Sequence, residues 1–358
     1  MLVFRPVATH DLDQLEAFAH SASAGITNLP KNRGLLQAKQ TLSIESLRKA
    51  VTKPTNESYM FILEDLENGT IIGTSAIHAQ AAWNEPQYFF RIETKEEASQ
   101  TLGIINRSQW IRPVIYQPSH TEVCGLYLNP IHRKGGAGRI LSLSRFLFIG
   151  CFPHRFDPKY VIAEMRGVID ENDHAPFYDG LLKHFFELEF TEILNYLSSG
   201  KQFIQELLPQ SSFPVDLLPK NAREVIGKAH PSSEPALALL KKEGFTFSQE
   251  VDLFDGGPKI YSSPKNIRCI RDSTLTLFAG ISEEEFGEEE FLVCNGKIDF
   301  RACATRLSID HRGHIYLPQK AAEALEIKTG MPLRYVSLRP KKDNSIRENK
   351  HSNKEIEA

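Results

Sequence analysis

The chain opens on a short apolar run, Leu2–Val7, closed by Pro6, which predicts a first strand. Asp11 then stands as a helix N-cap before Leu12, Leu15, Phe18 and Ala19, which recur at helical spacing. The pattern breaks from Thr27 to Pro30, and a second helical region follows with Leu35, Leu36 and Leu47. Tyr59–Leu63 and Ile71–Ile77 read as two strands joined at Asn68-Gly69, residues that tolerate the positive φ of a tight hairpin. Between Ala79 and His120 the pattern is indistinct, apart from a strand-like Gln87–Ile92. Glu122–Leu128 is a clear strand ended by Asn129-Pro130, and an apolar helix runs from Ile140 to Ile149. Lys159–Met165 reads as a buried strand, with a helical Ala175–Phe186 after it and a mostly helical insertion near 194–228. Glu234–Glu243 is a helix closed by Gly244, and Val251–Leu253 a strand entering the turn Asp255-Gly256-Gly257-Pro258.

Beyond Pro264 the texture changes to short runs: Leu275–Phe278, Phe291–Val293, Ala302–Leu307, His314–Leu317 and Leu333–Leu338, with one helix near Gln319–Leu325. Three parts are expected: a large α+β domain over 1–263, a small mostly-β module over 264–339, and a polar tail over 340–358 whose composition predicts disorder. The length of 358 residues agrees with one large and one smaller unit. A net charge of −3 with no basic block argues against a nucleic-acid partner. No stretch approaches the ~18 continuous apolar residues of a membrane span, and the first fifteen residues lack the pattern of a secretion signal. Five scattered cysteines without a CxxC pair argue against a zinc site or a disulfide framework. A cytoplasmic protein with no metal is expected.

The candidate chemistry centres on Arg133-Lys134-Gly135-Gly136-Ala137-Gly138, set between a strand and a long apolar helix. Glycines let backbone N–H groups approach a diphosphate, and the helix adds its positive N-terminal end. Arg133, Lys134 and Arg139 supply charge that pairs with phosphates. The spacing fits neither a Walker A loop nor a dinucleotide fingerprint. Taken alone, the loop reads equally well as a tight turn.

In its context of strand, Pro130, Arg133-x-x-Gly136-x-Gly138 and helix, the segment resembles the acyl-CoA-binding core of the GNAT acyltransferase superfamily. That resemblance implies a mixed sheet with flanking helices, in which the loop holds the pyrophosphate of coenzyme A. It also implies that the strands Glu122–Leu128 and Lys159–Met165 splay to admit the pantetheine. Backbone N–H groups around Leu126, Tyr127 and Leu128 would then meet the thioester carbonyl.

Three further segments narrow the likeness: Val161–Phe186 (VIAEMRGVIDENDHAPFYDGLLKHFF), Gly227–Phe245 (GKAHPSSEPALALLKKEGF) and Val251–Pro258 (VDLFDGGP). Together with Arg5-Pro6-Val7, Asp11 and Gly25–Pro30 (GITNLP), they resemble the arginine N-succinyltransferase family from about Met1 to Arg339. The resemblance implies succinyl transfer from succinyl-CoA, a co-substrate rather than a resident cofactor, to the α-amino group of L-arginine and in some members L-ornithine. It places the family's proton-donating histidine on His230 and its succinyl-CoA contact on Leu126. It also implies a homo- or hetero-oligomer with a paralogous subunit. Glu164, Arg166 and Asp170, at the end of the second core strand, can pair with a guanidinium or a carboxylate; a structural ion-pair set is the equal alternative. Tyr178 reads as a helical core aromatic and Cys124 as an inert strand thiol. The competing functional readings are an acetyl-CoA-dependent amine acetyltransferase and a non-catalytic subunit that keeps the fold.

Overall fold

The computed structural model describes residues 1–21, 29–197, 200–282 and 286–339. Residues 25–28 of the Gly25–Pro30 segment and the polar tail expected after Arg339 lie outside the described residues. In chain order the first strand is β1 (Leu2–Pro6), followed by helices α1 (Leu12–Ser21) and α2 (Arg33–Arg48). Strands β2 (Ser58–Asp65), β3 (Thr70–His78), β4 (Gln87–Ser99), β5 (Ile104–Tyr116) and β6 (Thr121–Leu128) come next. Helix α3 (Ala137–Cys151) and strand β7 (Val161–Glu164) complete the central motif. Short helices α4 (Pro176–Gly180), α5 (Lys183–Phe186), α6 (Phe190–Leu197) and α7 (Gln202–Leu207) lead to β8 (Phe213–Pro214) and α8 (Lys220–Val225). Then come α9 (Glu234–Lys242), β9 (Thr246–Asp252), β10 (Pro258–Ser262) and α10 (Arg268–Arg271). The last part holds β11 (Thr274–Ile281), β12 (Phe291–Cys294), β13 (Ala302–Thr305), β14 (Ser308–Ile309), β15 (Ile315–Leu317), α11 (Gln319–Leu325) and β16 (Pro332–Ser337).

All of these strands join one sheet, ordered β14-β15-β11-β16-β12-β13-β1-β2-β3-β6-β7-β10-β9-β4-β5-β8. The sheet is mixed, with helices on its faces, as expected. β2 and β3 form the hairpin read from Asn68-Gly69, with Gly69 at φ +67°. Strand β4 runs well past the expected Ile92, pairing with β5 from Gln87↔Tyr116 to Ser99↔Ile104. Its outer half, Lys95-Glu96-Glu97, is polar on both faces and carries no buried-strand signal. The expected helix Ala175–Phe186 is two short helices, and the segment near 194–228 includes the two-residue strand β8 on the edge of β5. Asp11 does not cap α1 as expected; both of its carboxylate oxygens bind the Arg5 guanidinium, and one also accepts from the N–H of Ala8.

Helix α3 packs on one face of the central strands. Its Ile140, Leu141, Leu143, Phe146, Leu147 and Phe148 meet Phe61, Val123, Val161 and Ala163 in the main core. α1 and α2 cover the other face near β2 and β3 through Leu15, Phe18, Leu36, Met60 and Ile62. Helices α4 to α8 close a second core over β4, β5 and β9. The C-terminal strands build a third core around α11, and they join the main sheet where Phe4 of β1 registers with Ala302 of β13.

Candidate active site

β6 and β7 run parallel, yet they pair only at Thr121↔Val161 and Glu122↔Ile162. Beyond Glu122 the two strands diverge, and among the described residues the rest of β6 has no strand partner on that side. On its other side β6 pairs with β3, but the register slips between Thr74 and Ala76, so Gly125 and Leu126 match no residue of β3. Only Ser75 of β3 faces these two residues, so β6 carries one extra residue, a β-bulge, and Gly125 at φ +59° takes the left-handed backbone open to glycine. The expected opening of the strands is present, and Gly125 is the residue that shapes it. Leu126 and Leu128 are partly buried against the main core. The Tyr127 side chain is buried against Phe18 with ring centroids 5.2 Å apart, which leaves only its backbone for a ligand.

The chain leaves β6 through a turn at Pro130–His132 and enters α3 with Gly135 and Gly136 both at positive φ. Among the described residues, the amides of Gly135, Gly136 and Gly138 donate to no carbonyl. A Cβ on Gly135 or Gly136 would meet nothing within 4 Å, so the space above these amides is open. Arg133 and Lys134 are exposed there; Arg133 Nε donates to Leu128 O at 3.2 Å. Arg139 is half-buried, with Nη1 enclosed and unpaired. Unused amides, a helix N-terminus and three cations make a surface whose charge and donors suit an anion. Ala137 is buried and serves as packing.

The three motif segments singled out in the sequence meet at the end of β7. The N–H of His230 donates to Arg166 O at 2.8 Å, and that of Gly227 donates to Gly256 O at 2.9 Å. Asp255 binds the amide of Gly167 through Oδ2 and that of Gly257 through Oδ1, each at 2.8 Å. Gly167 and Gly257 pack back to back: a Cβ on Gly257 would lie 2.0 Å from Met165 O, and one on Gly167 would lie 2.2 Å from Asp255 O. Burial and the neighbouring Asp252 charge push the Asp255 carboxyl up to about 8. The Asp255–Gly257 turn is thus a clamp that holds Arg166 beside His230.

His230 is half-buried and heads the short turn Pro231–Ser233. Its Nδ1 accepts from the N–H of Ser232 at 3.1 Å and lies 2.7 Å from Ser232 Oγ. A ring that accepts at Nδ1 carries its neutral-form proton on Nε2, facing away from the turn. Desolvation, and secondarily the Arg166 charge, hold the imidazole below its ordinary value. Arg166 itself forms no ion pair among the described residues, and its Nε is buried without a partner.

Glu164 lies two residues before Arg166, about 6–7 Å along the strand. Gln87 Nε2 bridges it to a residue not singled out in the sequence, donating at 2.6 Å to Glu164 Oε1 and at 3.0 Å to Glu122 Oε2. Glu122 is 8% exposed and registers with His78 of β3. Glu164 keeps solvent contact but is walled by protein; burial, then the charges of Glu122 and Asp252, raise it well above the usual carboxylate range. Gln87 and Glu122 were missed because one reads as a strand start and the other as an ordinary polar strand position. The pairing of β6 with β7 sets Glu122 beside Glu164, and the Gln87 side chain reaches both from β4. Asp170 stands apart: it is exposed, and its Oδ1 closes a local turn by accepting from the amides of Asn172 and His174. Tyr178 is fully buried, its hydroxyl donating to Leu188 O at 3.0 Å. Cys124 is buried and its thiol is pushed well up by desolvation, which removes it as a nucleophile.

Residues 2–269 match the family model described as arginine N-succinyltransferase beta subunit, and residues 273–337 match that subunit's C-terminal domain. The chain is 37% identical over 298 residues to proteins named arginine N-succinyltransferase from Shigella sonnei and Escherichia fergusonii. Each alignment covers 82% of this chain and 84% of the relative. Its fold is similar to that of the arginine/ornithine succinyltransferase subunit AI from Pseudomonas aeruginosa. The TM-score is 0.85 at 32% identity, over 95% of this chain and 99% of that one.

Proposed function

Since the chain belongs to the arginine N-succinyltransferase family, we propose that it moves the succinyl group of succinyl-CoA to the α-amino group of L-arginine in arginine catabolism. One observation carries the reading for this chain's own residues. The opening between β6 and β7 leads from the anion cradle at the start of α3 toward a cluster that holds His230, an unpaired arginine and a carboxylate pair. The cradle, with Arg133, Lys134, Gly135, Gly136, Gly138 and Arg139, takes the pyrophosphate of coenzyme A. Amides of the bulge, Leu126 foremost, take the thioester oxygen.

The acceptor fits the rest by charge. Arg166 suits a carboxylate, and the Glu122–Gln87–Glu164 bridge suits a guanidinium or ammonium. The neutral amine nitrogen attacks the thioester carbon, the C–N bond forms, and the carbonyl pair moves to oxygen. Collapse restores the carbonyl and breaks the C–S bond. The proton shed by the attacking nitrogen passes to the departing sulfur, and the neutral His230 ring donates a hydrogen bond from Nε2–H to that sulfur as negative charge builds on it. No covalent enzyme intermediate is needed.

The test is a thiol-release assay with succinyl-CoA against acetyl-CoA, with L-arginine and L-ornithine as acceptors. Succinyl-CoA with arginine is expected to release free coenzyme A; no release from any pair sinks the reading. His230→Ala is expected to lower kcat by about 100-fold or more while coenzyme A still binds. Turnover equal to the parent removes His230 from the mechanism. Among the described residues no helix is long and apolar enough to cross a membrane. The reading extends to a cytoplasmic enzyme that assembles with itself or with a paralogous subunit, for which sedimentation of the purified chain is the check.

A further inference from the structure

Arg145 is the bulkiest of the fully buried side chains among the described residues, and it sits midway along α3 in an otherwise apolar core. It forms no ion pair there. Its donors reach Ser142 O from Nε at 3.1 Å, Ser142 Oγ from Nη2 at 2.9 Å and Cys124 O from Nη1 at 3.3 Å. A buried charge without a counter-ion is expensive, and an apolar residue would fill the same space without that cost. The target of the charge is therefore informative. Cys124 O belongs to the peptide unit whose N–H is that of Gly125, the first residue of the bulge. The next unit is treated alike: Thr74 Oγ1 donates at 3.3 Å to Gly125 O, and the N–H of that unit is Leu126's. Thr74 is buried, so its hydroxyl has no competing water.

We propose that Arg145 and Thr74 are positioning residues that clamp the Gly125 bulge and polarise two successive peptide units, so that the N–H groups of Gly125 and Leu126 meet the negative charge developing on the thioester oxygen. The inference rests on the acyl-transfer reading above. A donor on a peptide carbonyl draws electron density along the amide and strengthens the N–H at its far end. In the resting chain the Arg145 charge has no counter-ion among the described residues. As the nitrogen–carbon bond forms and the carbonyl pair moves to oxygen, the missing negative charge appears on the other side of those peptide units. The interaction is thus stronger in the transition state than in the ground state, which is the condition for a kcat effect. Burial lowers the guanidinium to about 10, so it stays protonated at neutral pH.

Steady-state kinetics of the full chain with succinyl-CoA and L-arginine test this. Arg145→Gln is expected to lower kcat at least tenfold and Thr74→Val about threefold, each with the KM for succinyl-CoA within twofold of the parent. Arg145→Lys adds a readout that packing alone does not move. A buried ammonium loses its proton more readily than a guanidinium, so its kcat falls at alkaline pH relative to the parent, whereas the Gln variant is low throughout. The proposal is overturned if Arg145→Gln keeps kcat within twofold, or if kcat and the KM for succinyl-CoA worsen together and Arg145→Lys shows no alkaline fall. Should Arg145→Gln fail to fold, Thr74→Val decides: an unchanged kcat overturns the proposal, and a kcat loss at constant KM upholds it. A parent enzyme inactive with every donor removes the reaction itself, an outcome distinct from any difference between parent and variant.

Discussion

At the scale of single residues, the site is a set of ionisable groups whose partners decide their roles. Among the described residues Glu122 and Glu164 share the Gln87 amide and pair with no cation, which suits them to the cationic acceptor proposed above. Glu122→Gln keeps the shape and removes one charge. It is expected to raise the KM for L-arginine about tenfold and leave that for succinyl-CoA unchanged; equal KM values for arginine in parent and variant take Glu122 out of the acceptor site. Burial first, and then the Arg166 charge, lower the His230 pKa. Removing that charge in Arg166→Gln raises it, so the acid limb of the kcat/KM profile moves to higher pH. A limb that stays in place shows that the two groups do not sense each other. The sequence pointed to His230 because the family resemblance places its histidine there, and to Arg166 because a cation stands at the end of the second core strand. It could not point to Glu122 or Gln87, whose chemistry depends on neighbours 42 and 77 positions away in the chain.

At the scale of elements, three segments that looked independent in sequence prove to be one device. The end of β7, the Asp255–Gly257 turn and the His230 turn are laced by backbone hydrogen bonds around two glycines in van der Waals contact. Gly257→Ala would drive a Cβ into Met165 O, against backbone that cannot yield. A loss of more than about 4 kcal/mol is expected, measured by urea unfolding, and a loss below 1 kcal/mol contradicts the clamp. Local signals served well where the structure is local. The hairpin at Asn68-Gly69 and helix Gln319–Leu325 stand where their turn chemistry and periodicity put them. They failed for the outer part of β4 and β5, whose polar alternation matches a solvated ribbon, and for β10, whose only support is pairing between β7 and β9.

At the scale of the molecule, the strand-rich C-terminal part does not stand aside from the rest. Phe300 enters the main core and meets Phe4, Phe61 and Phe148 edge-on, with centroids 6.1, 6.4 and 5.3 Å apart. Phe300→Ala leaves a cavity between elements from both ends of the chain, worth about 3–5 kcal/mol. Calorimetry is expected to show one transition moved to lower temperature. Two separate transitions, with only one displaced, would mean that the parts unfold independently.

By itself the sequence determined the elements whose signals lie within a few residues of one another: the strand–loop–helix around Arg133–Gly138, the glycine turns and the apolar stripe of α3. Its motifs also determined the family. Tertiary structure alone decided the divergence of β6 from β7, the bulge at Gly125, the meeting of His230 with Arg166, and the buried Arg145 beneath the bulge. The physical reason is range. Turn chemistry and periodicity are set by neighbours in the chain, whereas desolvation, charge pairing and strand register depend on groups that only the folded sheet brings together.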